Sequence, residues 1–221
     1  MKNSQFQTCT RDTTPTPWRL LSSWTHFPFQ YFFLFHTMAK QGFTVRMASH
    51  DKDLIGILRL QHENLKDNVP DKSHGFVTLA HNLELLKSMN QEIGQVIAVD
   101  DETDQVVGYA LSKTISMRDR IPLLRTLVEK LEKSQPAGLD LENCYAMGQI
   151  CVDQPYRGSG MFQALYDCHR RSFASQYSSV VTAISASNPR SLRAHQKVGF
   201  RILATFDDPV DKWHAVIWDW S

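Results

Sequence analysis

Arg157-Gly158-Ser159-Gly160-Met161-Phe162 form a basic, glycine-rich turn, and turns of this kind can cradle phosphates. The turn joins an apparent strand over 145–152 to an apparent helix over 161–175. Its backbone N–H groups then converge at the positive end of a helix, which favours an anion. Glycine at 158 and 160 lets the backbone approach that anion with no Cβ in the way. Glycines at a strand–helix junction also serve plain turn chemistry, so the turn alone leaves both readings open.

A second group lies further along, in Asn188-x-x-Ser191-Leu192-x-Ala194-His195-x-Lys197-x-Gly199-Phe200. Asn188 suits a helix N-cap, and Ser191 faces the same way one turn on. His195 can donate a proton and titrates near neutrality; a surface residue on a short helix is the plainer reading. Tyr145 is the other titratable candidate, on a strand that carries no carboxylate through Gln149. Glu142 and Asp153 flank that strand, and solvated turn charges account for both. The cysteines Cys9, Cys144, Cys151 and Cys168 show neither a CxxC pair nor metal-ligand spacing with histidine. They fit buried thiols in a reduced, cytoplasmic compartment, and no metal is expected.

The elements that must position these residues follow from periodicity. At 221 residues, with 42% hydrophobic and 21% charged residues, the chain can bury one proper core. A net charge of +1 gives no strong field for nucleic acid or an acidic membrane. Strands are expected at 43–47, 95–99, 105–116, 145–152, 179–184, 200–206 and 213–220. Helices are expected at 51–63, 76–89, 121–133, 161–175 and 188–198. On the first of these, Leu54, Ile55, Leu58 and Leu60 or Gln61 recur at helical spacing. A hairpin-bearing sheet with helices between its later strands implies a mixed α/β layer fold. The domain is taken as 39–221. Residues 1–38 form an extension whose aromatic run is too short and too interrupted for an integral membrane span. An interfacial anchor, a disordered leader and translated sequence upstream of a start at Met38 are the readings of it. The last two are preferred, because a regular domain begins directly after Met38.

The two motifs together, in this order and separated by one helix and one strand, resemble the GNAT family of acyl-CoA-dependent N-acyltransferases. The resemblance runs from about Phe43 to the C-terminus. It implies a mostly antiparallel mixed sheet with a central, parallel, splayed strand pair, flanked by helices. It implies acetyl-CoA as co-substrate, its pyrophosphate held at Arg157, Gly158, Ser159, Gly160, Met161 and Phe162. Its pantetheine arm would lie along Ile150, Cys151 and Val152, with Asn188 and Ser191 touching it. An N–H near Ile150 would polarise the thioester carbonyl. His195 stands where the family usually has a tyrosine acid, and Phe162 where it usually has a small residue. The expected activity is acetyl transfer to a primary amine by direct attack, with His195 as general acid and Tyr145 as a further catalytic candidate. The expected partners are acetyl-CoA and an amine acceptor, with monomer and homodimer both open. An acyl-CoA-binding sensor with little catalysis is the competing reading. A nucleotide-binding protein ranks low, because the glycine turn lacks the Lys-Ser/Thr of a Walker loop.

Overall fold

The computed structural model describes residues 42–209 and 211–220. The readings of residues 1–38 lie outside them. In chain order come β1 (Phe43–Met47), α1 (Asp51–Glu63), α2 (Leu83–Glu92), β2 (Val96–Asp100) and β3 (Val106–Lys113). Then follow α3 (Pro122–Ser134), β4 (Cys144–Val152), α4 (Met161–Phe173), β5 (Ser179–Ser185), α5 (Pro189–Val198), β6 (Arg201–Asp207) and β7 (Lys212–Asp219).

Seven strands form one sheet in the order β1-β2-β3-β4-β5-β7-β6. Every neighbouring pair is antiparallel except β4 and β5. Leu60, Leu86 and Leu127 of α1, α2 and α3 share one apolar cluster on one face of the sheet. Leu165 and Phe173 of α4 belong to a second cluster, against which Leu192 and Val198 of α5 pack. The mixed α/β sheet with one central parallel pair is the fold the sequence implied.

That pair carries the consequence for function. It is only three residues long: Cys144 faces Ser179, Tyr145 faces Val180, and Ala146 faces Val181. Beyond Ala146, β4 continues beside β3 alone and β5 beside β7 alone. The sheet opens there, leaving unpaired backbone along both strands that something must satisfy. On its other edge β4 carries a bulge. Ala110 and Ser112 of β3 face Ile150 and Met147 of β4, so one extra residue is accommodated near Gly148 and Gln149. A bulge next to a strand opening redirects side chains locally.

Two expectations need correction. Ile55 does not face the core; it is 54% exposed, and Asp53, Leu54, Ile57, Leu60 and Gln61 are the buried residues of α1. The helix expected from residue 76 starts only at Leu83, with Asn82 accepting from the Leu85 N–H at 2.9 Å. The Leu79, Leu83 and Leu86 spacing suggested one longer helix. Side chains of other elements hold its first residues extended. Gln149 Nε2 donates to the Leu79 carbonyl at 2.6 Å, and the His81 N–H donates to Gln61 Oε1 at 2.7 Å. These bonds answer the backbone groups a helix would otherwise satisfy.

Candidate active site

Val152 ends β4, and a short turn folds over Tyr156 before the glycines. The Tyr156 hydroxyl donates to Asp100 Oδ2, tying the turn to the end of β2. That bond, with those from Thr103, holds the Asp100 carboxyl down at about 2. Arg157 anchors the other side. Its Nε donates to the Val152 carbonyl at 3.2 Å, and its Nη2 donates to Asn64 Oδ1 at 2.9 Å.

Gly158 and Gly160 have φ of 80° and 91°. This left-handed region strains any residue with a Cβ. A Cβ at either position would meet no atom within 4 Å, so the glycines are needed for conformation and their outer faces are open. The Arg157 N–H is bonded to the Gln154 carbonyl, the Ser159 N–H to the Tyr156 carbonyl, and the Met161 N–H to Ser159 Oγ. The N–H groups of Gly158, Gly160, Phe162 and Gln163 have no partner among the described residues. Four unused donors at the positive end of a 13-residue helix are an anion site in waiting.

A cavity of about 580 Å³ opens on this turn. Ile150, Cys151 and Val152 form one wall beside the strand opening, and Arg157, Gly158, Gly160, Met161 and Phe162 form the next. Asn188, the N-cap of α5, and Ser191 within it face them, while Gly75, Phe76 and Val77 close the far side. Asn188 does two jobs. Its Oδ1 accepts from the Ser191 N–H at 3.1 Å, and its Nδ2 donates to the Phe76 carbonyl at 3.3 Å. Arg190, Arg193 and Lys197 add three cations to the lining, which contains no carboxylate. The sequence reading missed these three. Their spacing along one side of α5 was the available signal.

Ser159 is the one expected cofactor residue that does not line the cavity; its hydroxyl is turned to the Met161 N–H at 3.3 Å. Neither expected catalytic side chain lines it. Tyr145 is fully buried, and its hydroxyl lies 2.9 Å from His169 Nδ1, while His169 Nε2 lies 3.1 Å from the Ala110 carbonyl. A carbonyl only accepts, so Nε2 carries the proton and Nδ1 accepts from Tyr145. Burial raises the Tyr145 hydroxyl well above its ordinary value and lowers His169 to about 4. The pair is a satisfied core contact.

His195 is 2% exposed. Its Nδ1 lies 2.8 Å from the Ser191 carbonyl, so Nδ1 holds the proton and Nε2 is bare, buried and unpartnered. Burial lowers it to about 4, leaving a neutral ring near pH 7. The rings of Phe162, Tyr166 and Phe200 meet it edge-on at 5.3, 5.5 and 5.1 Å. Phe162 and His195 looked like two separate departures from the family pattern, and the fold packs them against each other. Cys151 reaches the cavity, but burial pushes its thiol up to about 12, which rules out a standing thiolate nucleophile. Asp153 caps the turn after β4, accepting from the Gln154 N–H at 2.7 Å. Among the described residues no helix is long and apolar enough to cross a membrane, and no three His, Cys, Asp or Glu side chains gather as metal ligands.

On the opposite side of β4 stands a buried polar group that the sequence reading did not find. Gln61 Nε2 donates to Gln149 Oε1 and to His81 Nδ1, both at 2.8 Å. The Tyr109 hydroxyl lies 3.3 Å from the same Gln149 oxygen. Lys113, 3% exposed, reaches along β4 to Gly148. No short-range sequence signal joins positions 61, 81, 113 and 149.

No family model and no curated protein matches the sequence. Solved structures do match. Ard1 from Thermoplasma volcanium superposes with a TM-score of 0.56 at 16% identity, covering 80% of this chain and 97% of that one. A GNAT superfamily phosphinothricin acetyltransferase from Sinorhizobium meliloti, in complex with AcCoA, gives 0.54 at 16% identity, covering 80% and 88%. The ribosomal-protein-S18-alanine N-acetyltransferase from Escherichia coli gives 0.51 at 13% identity, covering 80% and 91%. Likeness at such identities establishes architecture: the chain has the fold of the GNAT acetyltransferases.

Proposed function

We propose that the protein is an acyltransferase that moves an acetyl group from acetyl-CoA to a primary amine by direct attack. One observation carries this reading: the β4–β5 opening, the unused N–H groups at the start of α4 and a cation-lined wall share a single cavity. A ligand that suits all three has a pyrophosphate, further negative charge and a long amide-bearing arm. Coenzyme A has each. Gly158, Gly160, Phe162 and Gln163 would hold the pyrophosphate, and Arg190, Arg193 and Lys197 would take the remaining phosphate charge. The arm would run along Ile150, Cys151 and Val152, with its amides bonding the backbone that β5 leaves free.

The acetyl end would then reach the bulge near Gly148. There the amine nitrogen attacks the thioester carbon, the C–S bond breaks, and the proton lost by the amine balances the one gained by the CoA sulfur. A backbone N–H near Ile150, aimed at the developing oxyanion, contributes about 3 kcal/mol in comparable sites. Holding both reactants in line supplies much of the rest. Tyr145 and His195 are structural in this scheme, and the protein's part is binding, orientation and exclusion of water.

That neither ring lines the cavity also favours the second reading, an acyl-CoA sensor. Titration calorimetry with acetyl-CoA, followed by CoA release across an amine panel, separates the two. Binding with turnover supports the transferase, binding without turnover across a wide panel supports the sensor, and absence of binding removes both.

A further inference from the structure

On the far side of β4 stand a histidine N–H that is buried without a partner and a lysine that is 3% exposed. Lys113 faces Ala146, the last β4 residue paired to β5, and its side chain extends toward the opening. A Cβ on Gly148 would fall 2.8 Å from Lys113 Nζ, and Gly148 is only half-buried in an otherwise largely buried strand. No hydrogen-bond acceptor or carboxylate meets that ammonium among the described residues. Burial alone pulls it down to about 8.

His81 supplies the second donor. It is 8% exposed, on the extended segment that crosses the bulge. The Gln61 amide cannot be flipped, because its oxygen accepts the His81 N–H while its nitrogen donates to Gln149. His81 Nδ1 therefore accepts from Gln61, and Nε2 must carry the ring proton. That N–H is buried without a partner. Burial and then the nearby Lys113 charge lower His81 to about 3, so the ring is neutral and its N–H stays a donor.

A buried N–H without a partner destabilises the empty protein, and the Lys113 side chain near it is 3% exposed with no carboxylate paired to it among the described residues. A single anionic acceptor between them relieves both. We propose that Lys113 and His81 bind a carboxylate of the acceptor, which makes the acceptor a carboxylate-bearing amine. This rests on the acetyltransferase reading, since it assumes that the acceptor reaches the bulge beside the thioester. The ammonium of such a molecule would point to the opening and its carboxylate to Lys113 Nζ and His81 Nε2–H.

The test uses the full chain with saturating CoA and N-acetylated products as probes. N-acetylglycine, N-acetyl-β-alanine and N-acetyl-γ-aminobutyrate are each compared with their neutral amides by NMR titration. At least one acid should bind about 10-fold or more tightly than its amide. Lys113→Met should erase that difference, and Lys113→Arg should keep part of it. Methionine fills the volume and removes an unpaired buried charge, so the variant is expected to fold. Equal affinity in all three pairs, or a preference that survives Lys113→Met, overturns the proposal. CoA release with the free amino acids and their amides is followed in parallel. A carboxylate preference in binding with no turnover of any amine sinks the transferase reading alone. Turnover without any such preference sinks the carboxylate site alone.

Discussion

The two sides of β4 are built differently. Toward α4 and α5 stand backbone N–H groups, set by two glycines and tied down by Tyr156, Arg157 and Asn188, with the cations of α5 beside them. Toward α1 and α2 stand side chains, at Gln61, His81, Lys113 and Gln149, drawn from four distant parts of the chain. In the proposed reading the first side would hold coenzyme A with a local motif. In the same reading the second would hold the acceptor with side chains that lie far apart in the sequence. The difference sets a proposed donor half, built from local backbone, against a proposed acceptor half, built from distant side chains.

The largest expected effect compares the histidines of the two halves. His81, His169 and His195 are held down at about 3, 4 and 4, by burial in each case and at His81 by the Lys113 charge as well. A folded value below the ordinary one, near 6.5, means that the unfolded chain binds more protons. Their stabilisation is therefore complete above about pH 6.5 and is lost as pH falls toward 4, at about 1.4 kcal/mol per pH unit for each ring. Denaturant unfolding across that window should show the steep loss. His81→Gln should flatten the slope by about one proton's worth. Stability unchanged between about pH 6.5 and 4 would mean that the three rings are not buried neutral.

The next effect belongs to the donor half. Gly160→Asp forces a side chain into φ 91° and sets a carboxylate where an anion should sit. Acetyl-CoA affinity should fall about 100-fold or more, close to 3 kcal/mol. Calorimetry on protein of confirmed melting behaviour checks it. Affinity within a few-fold of the parent would place the pyrophosphate elsewhere.

A smaller effect belongs to the acceptor half. Gln149→Leu strands the Leu79 carbonyl and removes the acceptor of one Gln61 N–H. The expected loss is about 2 kcal/mol of folding stability, and hydrogen exchange should rise first over residues 76–82. Acetyl-CoA affinity should hardly move. An equal loss in CoA binding would show that the halves are coupled through the bulge.

Legibility followed the same division. The glycine turn, Asn188 and the order of the elements could be read from the chain, because backbone sites depend on local conformation and local conformation leaves spacing in the sequence. The extended segment over the bulge could not be read. Its leucines repeat at helical spacing, and the bonds that keep it extended come from Gln61 and from Gln149, 70 residues beyond Leu79. The inward face of α1 was misread at Ile55 for a related reason, since periodicity alone does not say which of two adjacent apolar stripes meets the sheet. Ser159 fell inside a motif whose neighbours line the cavity, yet its hydroxyl is taken up within the turn itself.

The smallest expected effect bears on His195, which lies in the donor half but outside its cavity. The position suggested a general acid, and two features of the fold oppose that role. A general acid must reach the leaving sulfur, and this ring is 2% exposed with Phe162 packed edge-on against it. It must also carry a transferable proton at working pH, and the one proton of the neutral ring is bonded to the Ser191 carbonyl. His195→Leu keeps an apolar body among Phe162, Tyr166 and Phe200 and deletes the unpartnered Nε2. The loss of the Nδ1 bond and the relief of the bare nitrogen roughly offset, each being about 1 kcal/mol or a little more. CoA release at saturating acetyl-CoA should stay within about threefold of the parent, below the ~100-fold that a lost general acid costs. A fall approaching the larger figure, in a variant that still melts cooperatively and binds acetyl-CoA, would mean that the ring turns out to the cavity during turnover. The α5 helix would then be part of the chemistry as well as part of the wall.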